Sequence, residues 1–126
     1  MTFSLFQKDI VHIQFYTNKI SVRVLNKSLE ITATSTTNFS NNRLVLADYV
    51  IAENFLIYLL KKLSEQKKIS KRLHFCIQIM EKMDGGISSM EKRAFLDLGE
   101  HCGGSKVVVY DKANFISDSE IINMLK

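Results

Sequence analysis

His101 and Cys102 stand side by side, and a thiol next to an imidazole is a pairing from which nucleophilic catalysis can be built. Neighbours at a helix end do not share a face, however, and no third group that would orient the histidine is evident from the sequence. Cys76 and Cys102 also lack any metal-ligand spacing. Cys76 falls in an apolar run and Cys102 beside a helix end, so both are expected to be reduced thiols in or near the core. His12 and His74 fall inside strand-like runs, where a hydrogen-bonded structural histidine is expected. A metal-dependent nuclease would need several carboxylates converging on a sheet, usually with one on the first strand. Here Asp9 precedes that strand, Gln14 within it is neutral, and Glu30 faces the polar side of the third strand. Gly85-Gly86 and Gly103-Gly104 do not follow a strand and open a helix as a phosphate-binding loop would.

The remaining concentration of chemistry is basic. Lys61, Lys62, Lys67, Lys68, Lys71 and Arg72 lie in one segment of a chain with net charge +4 and a pI of about 9.1. Such a cluster suits nucleic acid or an anionic lipid surface. It equally suits the solvated C-terminal end of a helix, where cations face the negative end of the macrodipole. The segment lacks the interleaved aromatics of a base-stacking platform.

These residues must be positioned by one compact domain, because 126 residues is a single-domain length. A hydrophobic fraction of 46% and a charged fraction of 24% are those of an ordinary globular chain. No apolar run approaches the roughly 20 residues that span a bilayer. Met1–Phe6 is too short and too poor in basic residues for a secretory signal, so the expected location is cytoplasmic.

Taken in order, Ile10–Phe15, Ile20–Leu25 and Leu29–Thr34 alternate or are rich in β-formers, and short turns at Thr17-Asn18-Lys19 and Asn26-Lys27 join them. They predict an antiparallel meander. Thr34–Asn42 is a polar loop. Asp48 then caps the longest helix, with Val50 or Ile51, Phe55, Tyr58 or Leu59, and Leu63 as its buried stripe; apolar neighbours widen the stripe and predict a well-covered helix. Leu73–Met80 is apolar on both faces, as an interior strand is. Lys82–Gly86 is a loop.

Ser88 and Glu91 form a capping box for a second helix with Met90, Ala94, Phe95 and Leu98 on one stripe. Gly103-Gly104 can take the positive φ of a helix terminus, and Val107–Tyr110 is a buried-type strand. Asp118–Leu125 is a short helix capped by Ser117 or Asp118. The order is β-β-β-α-β-α-β-α, an α/β fold with a mixed five-stranded sheet. Three antiparallel strands followed by helix–strand crossovers is the plan of the ribonuclease-H-like half of actin-type ATPases, and right-handed crossovers would make the later strands parallel to the first.

With that order in place, two stretches resemble the MreB-type bacterial actins, the rod shape-determining family. Residues 43–63 (RLVLADYVIAENFLIYLLKKL) resemble that family's Ala-Asp-Phe helix start, and residues 86–111 resemble its Glu-Arg-Arg-Ala helix and following strand. The matching positions are Gly86-Ile87, Met90-Glu91-Lys92-Arg93-Ala94, Gly103 and the valine strand; Met1–Ser35 matches in pattern more than in identity. Family members are much longer. The resemblance therefore implies that residues 1–126 form a single actin-like subdomain, with the small subdomain after the third strand reduced to a loop and the second half of the nucleotide cleft missing.

The resemblance also implies a degenerate phosphate loop. Where the family has Asp-Leu-Gly-Thr-Ala-Asn, this chain has Gln14, Phe15, Tyr16, Thr17 and Asn18. An amide is a poorer Mg²⁺ partner than a carboxylate, and a ring in place of glycine blocks backbone approach to phosphate. Asp111-Lys112-Ala113 replaces the family's Glu-Glu-Pro, and Ser88-Ser89 its Thr-Glu. No catalytic residue, metal or cofactor is expected.

The reading is thus a non-catalytic actin-like protein that acts by protein–protein contact, with a partner protein or a second copy covering a face left bare. The resemblance suggests a bacterial cell-shape or filament-regulating role. Phe3, Phe6, Phe115, Ile121, Ile122 and Leu125 are the candidate contact residues, although they also suit core packing of the terminal segments. Contact of Met1–Phe6 with a membrane would be weak. The alternative from another class is a small basic nucleic-acid-binding module using Lys61–Arg72, and a third is a remnant that folds without a selected role.

Overall fold

A computed structural model of the chain describes residues 8–25, 27–81 and 87–126. Strands β1 (Asp9–Tyr16), β2 (Lys19–Val24) and β3 (Leu29–Thr34) are followed by α1 (Tyr49–Gln66), β4 (Leu73–Ile79), α2 (Ser89–His101), β5 (Gly104–Tyr110) and α3 (Asp118–Met124). One sheet carries all five strands in the order β3-β2-β1-β4-β5. β1 pairs antiparallel with β2, and β2 with β3, whereas β4 runs parallel to both β1 and β5. This is the mixed topology expected from three meander strands followed by two crossovers.

The turns follow from local chemistry. β1 and β2 are joined by Thr17 and Asn18, and Asn18 adopts φ 54°, a left-handed conformation that asparagine tolerates better than most residues. Asp48 accepts the N–H of Ile51 and caps α1. Ser88–Glu91 and Ser117–Glu120 are complete capping boxes at the starts of α2 and α3. Of the two glycines after α2, only Gly103 takes positive φ, 108°. Gly104 opens β5 and sits against Phe75 and Val107, where a Cβ would come within 2.8 Å of both.

Alternation along the strands gives the sheet two unlike faces. Val11, Ile13, Phe15, Ile20, Val22, Phe75 and Ile77 pack beneath α1 and α2, which contribute Ala52, Leu56, Leu59, Leu63, Phe95 and Leu98. Phe15 is the centre of this layer, with edge-on ring contacts to Phe39 at 6.1 Å and Phe95 at 5.2 Å. The opposite face is covered by α3 and the segment before it. There Leu25, Cys76, Ile116, Ile121 and Leu125 form a second, smaller core.

Several sequence expectations are corrected. The buried stripe of α1 is Ala52, Leu56, Leu59 and Leu63, one step round from the expected positions; of those only Leu59 and Leu63 are buried. Val50, Ile57 and Tyr58 are exposed, so the helix is not covered all round. Met90 is 82% exposed, and the inward face of α2 is Phe95, Leu98 and Gly99. Gly99 takes the place of a larger residue because Val107 of β5 crosses there, 2.7 Å from where a Cβ would stand. β5 is an edge strand and only partly buried. Ile121 and Leu125, expected as contact residues, are core, because α3 has to close the second face of the sheet. The Asn26 part of the second turn and the Lys82–Gly86 loop lie outside the described residues, as do Phe3, Phe6 and the rest of Met1–Phe6.

Candidate functional site

On the α3 face of the sheet, even-numbered positions of β1 and β4 bring polar side chains together. Parallel pairing sets Gln14 beside Gln78, with His12 one step back beside Cys76. Gln78 is completely buried. Its Oε1 accepts from His12 Nε2 at 2.8 Å and from Gln14 Nε2 at 3.2 Å. Its Nε2 donates to the backbone carbonyls of Lys112 and Asn114, both at 2.7 Å. An amide offers two donors and an oxygen with two lone pairs, so every hydrogen-bonding position of Gln78 is filled by the chain itself. Burial holds His12 below the ordinary histidine range against the raising effect of its Gln78 bond, with Arg23 lowering it further. A neutral imidazole with its proton on Nε2 fits that bond. Just outside, Arg23 of β2 binds Asp118 at the start of α3 at 2.8 Å, and this bond depresses the Asp118 pKa.

At the C-terminal end of β1 lies the turn that the family resemblance equates with a phosphate loop. Asn18 Oδ1 accepts the N–H groups of Phe39 at 2.9 Å and Ser40 at 2.8 Å, and the Asn18 N–H donates to Ser40 Oγ at 3.0 Å. Thr17 Oγ1 donates to Glu81 Oε1 at 2.6 Å, and Gln14 Nε2 also reaches the Met80 sulfur at 3.6 Å. The Lys19 ammonium stands 4.3 Å from the centre of the Tyr16 ring. Over the turn opens a shallow cavity of about 340 Å³ lined by Thr17, Asn18, Asn38, Ser40, Asn41 and Asn42. None of these side chains carries a charge. Of these four, Asn18 clasps the hairpin to the β3–α1 loop, Gln14 and Thr17 bond to β4 and the residues just after it, and Tyr16 meets Lys19 across the turn.

The sulfur chemistry is inert. Burial pushes the Cys76 thiol up to about 11, and burial with the Glu53 carboxylate pushes Cys102 up to about 12, so neither supplies thiolate near neutral pH. The sequence did not disclose a group orienting His101, but two are present: Nδ1 lies 2.7 Å from the Tyr49 hydroxyl and 3.2 Å from Glu53 Oε2. Tyr49 and Glu53 are one turn apart on α1, which is the signal that was available. The arrangement ties α1 to α2. Cys102 points instead to the Glu53 carbonyl, at 3.8 Å. His74 does not fit the expectation of a hydrogen-bonded histidine, since its buried Nδ1 has no partner. Among the described residues, no group of three His, Cys, Asp or Glu side chains is placed to hold a metal ion.

The basic residues follow one another along the end of α1 and the connection after it. Lys61 and Lys62 lie in the last turns of α1, Lys67 caps it, and Lys68, Lys71 and Arg72 follow in the connection to β4. The Lys67 ammonium donates to the Lys27 carbonyl at 2.9 Å, and Lys62 leans over the Tyr58 ring at 5.6 Å. Of the expected contact residues, Phe115 is 87% exposed and Ile122 half-buried. The exposed apolar residues that sequence reasoning missed are Val50, Ile57, Tyr58 and Met90.

Comparison with known proteins fits this geometry. No family model matches the chain. It is 29% identical over 129 residues to the uncharacterized protein YjaA of Escherichia coli (strain K12), a match covering 94% of this chain and 98% of that protein. Among solved structures it superposes on the ethanolamine utilization protein EutJ from Carboxydothermus hydrogenoformans with a TM-score of 0.60 and 14% identity. That match covers 87% of this chain and 39% of EutJ, so the chain spans about two-fifths of the length of that structure. EutJ has the actin-like ATPase fold, and the chain has the α/β fold of a single ribonuclease-H-like domain of that class.

Proposed function

We propose that the chain is a non-catalytic domain of the actin-like fold that acts by protein–protein contact. The observation that carries this reading is the saturation of Gln78 by His12, Gln14 and two backbone carbonyls. An actin-type phosphate site needs a carboxylate to work with Mg²⁺ and free backbone N–H groups to cradle phosphate. Of the matching positions, Gln14 is a neutral amide already bonded to Gln78, and Asn18 is an amide whose oxygen takes the N–H groups of Phe39 and Ser40. The resemblance to MreB-type actins supports a role in cell shape or filament regulation, in the cytoplasm. The nucleic-acid alternative has less support, because residues 61–72 hold no aromatic side chain on which a base could stack. The test is calorimetric titration with Mg-ATP alongside light scattering. Absence of binding heat is expected; saturable one-to-one binding of Mg-ATP refutes the reading.

A further inference from the structure

β3 ends the sheet on its side, and among the described residues no other strand pairs with its outer edge. Strand edges of this kind accept further strands unless something blunts them. The two edges of this sheet differ in that respect. β5 carries Lys106, whose ammonium donates to the Lys126 carbonyl, at the end of the α3 segment, at 2.6 Å. β3, with the sequence LEITAT, contains neither lysine nor proline, and its one charge, the exposed Glu30, lies on the face opposite to Leu29, Ile31 and Ala33.

Beside the C-terminal end of β3 and the residues that follow it lies a groove of about 580 Å³ against α1, lined by Ala33, Ser35, Thr37, Ile51, Phe55 and Tyr58. Tyr58 is 52% exposed there. A strand added to β3 would send alternate side chains to opposite faces, and one set would enter this groove.

Beyond the lining of the groove, toward the start of β3, stand two lysines. Lys62 stands over Tyr58, and Lys67 is bonded to the carbonyl of Lys27, two residues before β3 begins. Glu65 is the carboxylate on that turn of α1, and Lys27 shares Asp9 at 3.7 Å. The lining residues Ser35, Thr36, Thr37 and Asn54 are uncharged.

We propose that the β3 edge and this groove bind an extended segment of a partner protein as a sixth, antiparallel strand. Its apolar residues alternate, and acidic residues follow them. Antiparallel addition continues the β1–β2–β3 meander, and it sends the C-terminal end of the incoming strand toward Lys62 and Lys67. Carboxylates there meet the lysines. A second copy of this chain fits less well, since it has net charge +4 and its β3 is followed by the uncharged residues Ser35, Thr36 and Thr37. The proposal deepens the reading of the chain as a protein-contact domain and rests on it.

The test is selection of a phage-displayed library of random peptides on the full chain, with the enriched peptides resynthesised and measured by fluorescence anisotropy. The expected consensus alternates apolar and polar residues and ends in Asp or Glu. Tyr58→Glu and Lys62→Glu, both at exposed positions, are each expected to weaken binding about tenfold or more, as is raising the salt concentration for the charged contact. N-methylation of alternate peptide amides should abolish binding. Both variants should keep the parent melting temperature. A library that yields no binder, binders that neither variant weakens, or a chain that dimerises through β3 overturns the proposal. Mg-ATP binding would sink the non-catalytic reading by itself. A chain that ignores both ATP and the library would sink only this docking surface.

Discussion

Replacing Gln78 by leucine keeps the volume of the side chain and removes its four hydrogen bonds. Its four partners behave differently once it is gone. Gln14 is partly exposed and can turn to water. His12 is buried and loses the acceptor for its Nε2–H. The carbonyls of Lys112 and Asn114 lose a donor in a part-buried setting. A buried group left without a partner costs about 1–3 kcal/mol, and the carbonyls add about 0.5–1.5 kcal/mol each where water does not replace the amide. Gln78→Leu should therefore lower unfolding stability by about 2–6 kcal/mol, measured by urea denaturation at constant m-value.

Because Lys112 and Asn114 lead into α3, amide exchange should accelerate in residues 111–117 before it does in β1. Gln78→Glu should cost more at neutral pH, since a carboxylate would face two carbonyls. Its folded pKa would be raised above the usual glutamate value of about 4.3, so stability is retained below that value and lost as pH rises through the folded pKa. A loss under about 1 kcal/mol for Gln78→Leu, with exchange in 111–117 unchanged, would refute the view that this amide holds the two layers together.

Gly99→Ala would drive a methyl to within 2.7 and 2.9 Å of the Val107 methyls, and should cost about 1–3 kcal/mol in thermal or chemical unfolding; Val107→Ala in the same chain should recover part of it. Burial lowers the pKa of both His12 and His74, so each contributes stability that is complete above the unfolded value of about 6.5 and is lost as pH falls below it toward the folded pKa. His74→Phe should flatten the fall in melting temperature between about pH 7 and 5, and an unchanged profile would contradict this. Cys76 and Cys102, pushed up to about 11 and about 12, should react with a thiol reagent at pH 8 far more slowly in the folded chain than in denaturant. Fast labelling of either in the folded chain would show a thiolate that the packing does not predict.

The features legible in the sequence were those written in local chemistry. Asp48, Ser88 with Glu91, and Ser117 or Asp118 announce three helix starts through caps that need only their neighbours, and all three helices are present, the last with Ser117 as its cap. β4 declared itself interior because both its faces are apolar. The phase of α1 was not legible. Its sequence is apolar on every side, from Val50 and Ile51 to Leu59 and Leu60, so periodicity could not show that the small residue Ala52 faces the sheet. Gly99 reads as an ordinary weak point in a helix, because its reason lies on β5, across the packing interface. The polar core left a faint trace: His12 and Gln14 alternate on β1, as Cys76 and Gln78 do on β4. Only the parallel register between the strands turns that trace into a network.

The most direct measurement is titration of the intact chain with Mg-ATP by calorimetry at neutral pH. The account predicts no saturable heat, because Gln14, Gln78 and Asn18 are already bonded within the chain and the cavity at the β1–β2 turn has no charged lining. One-to-one binding that disappears when Mg²⁺ is removed would contradict it.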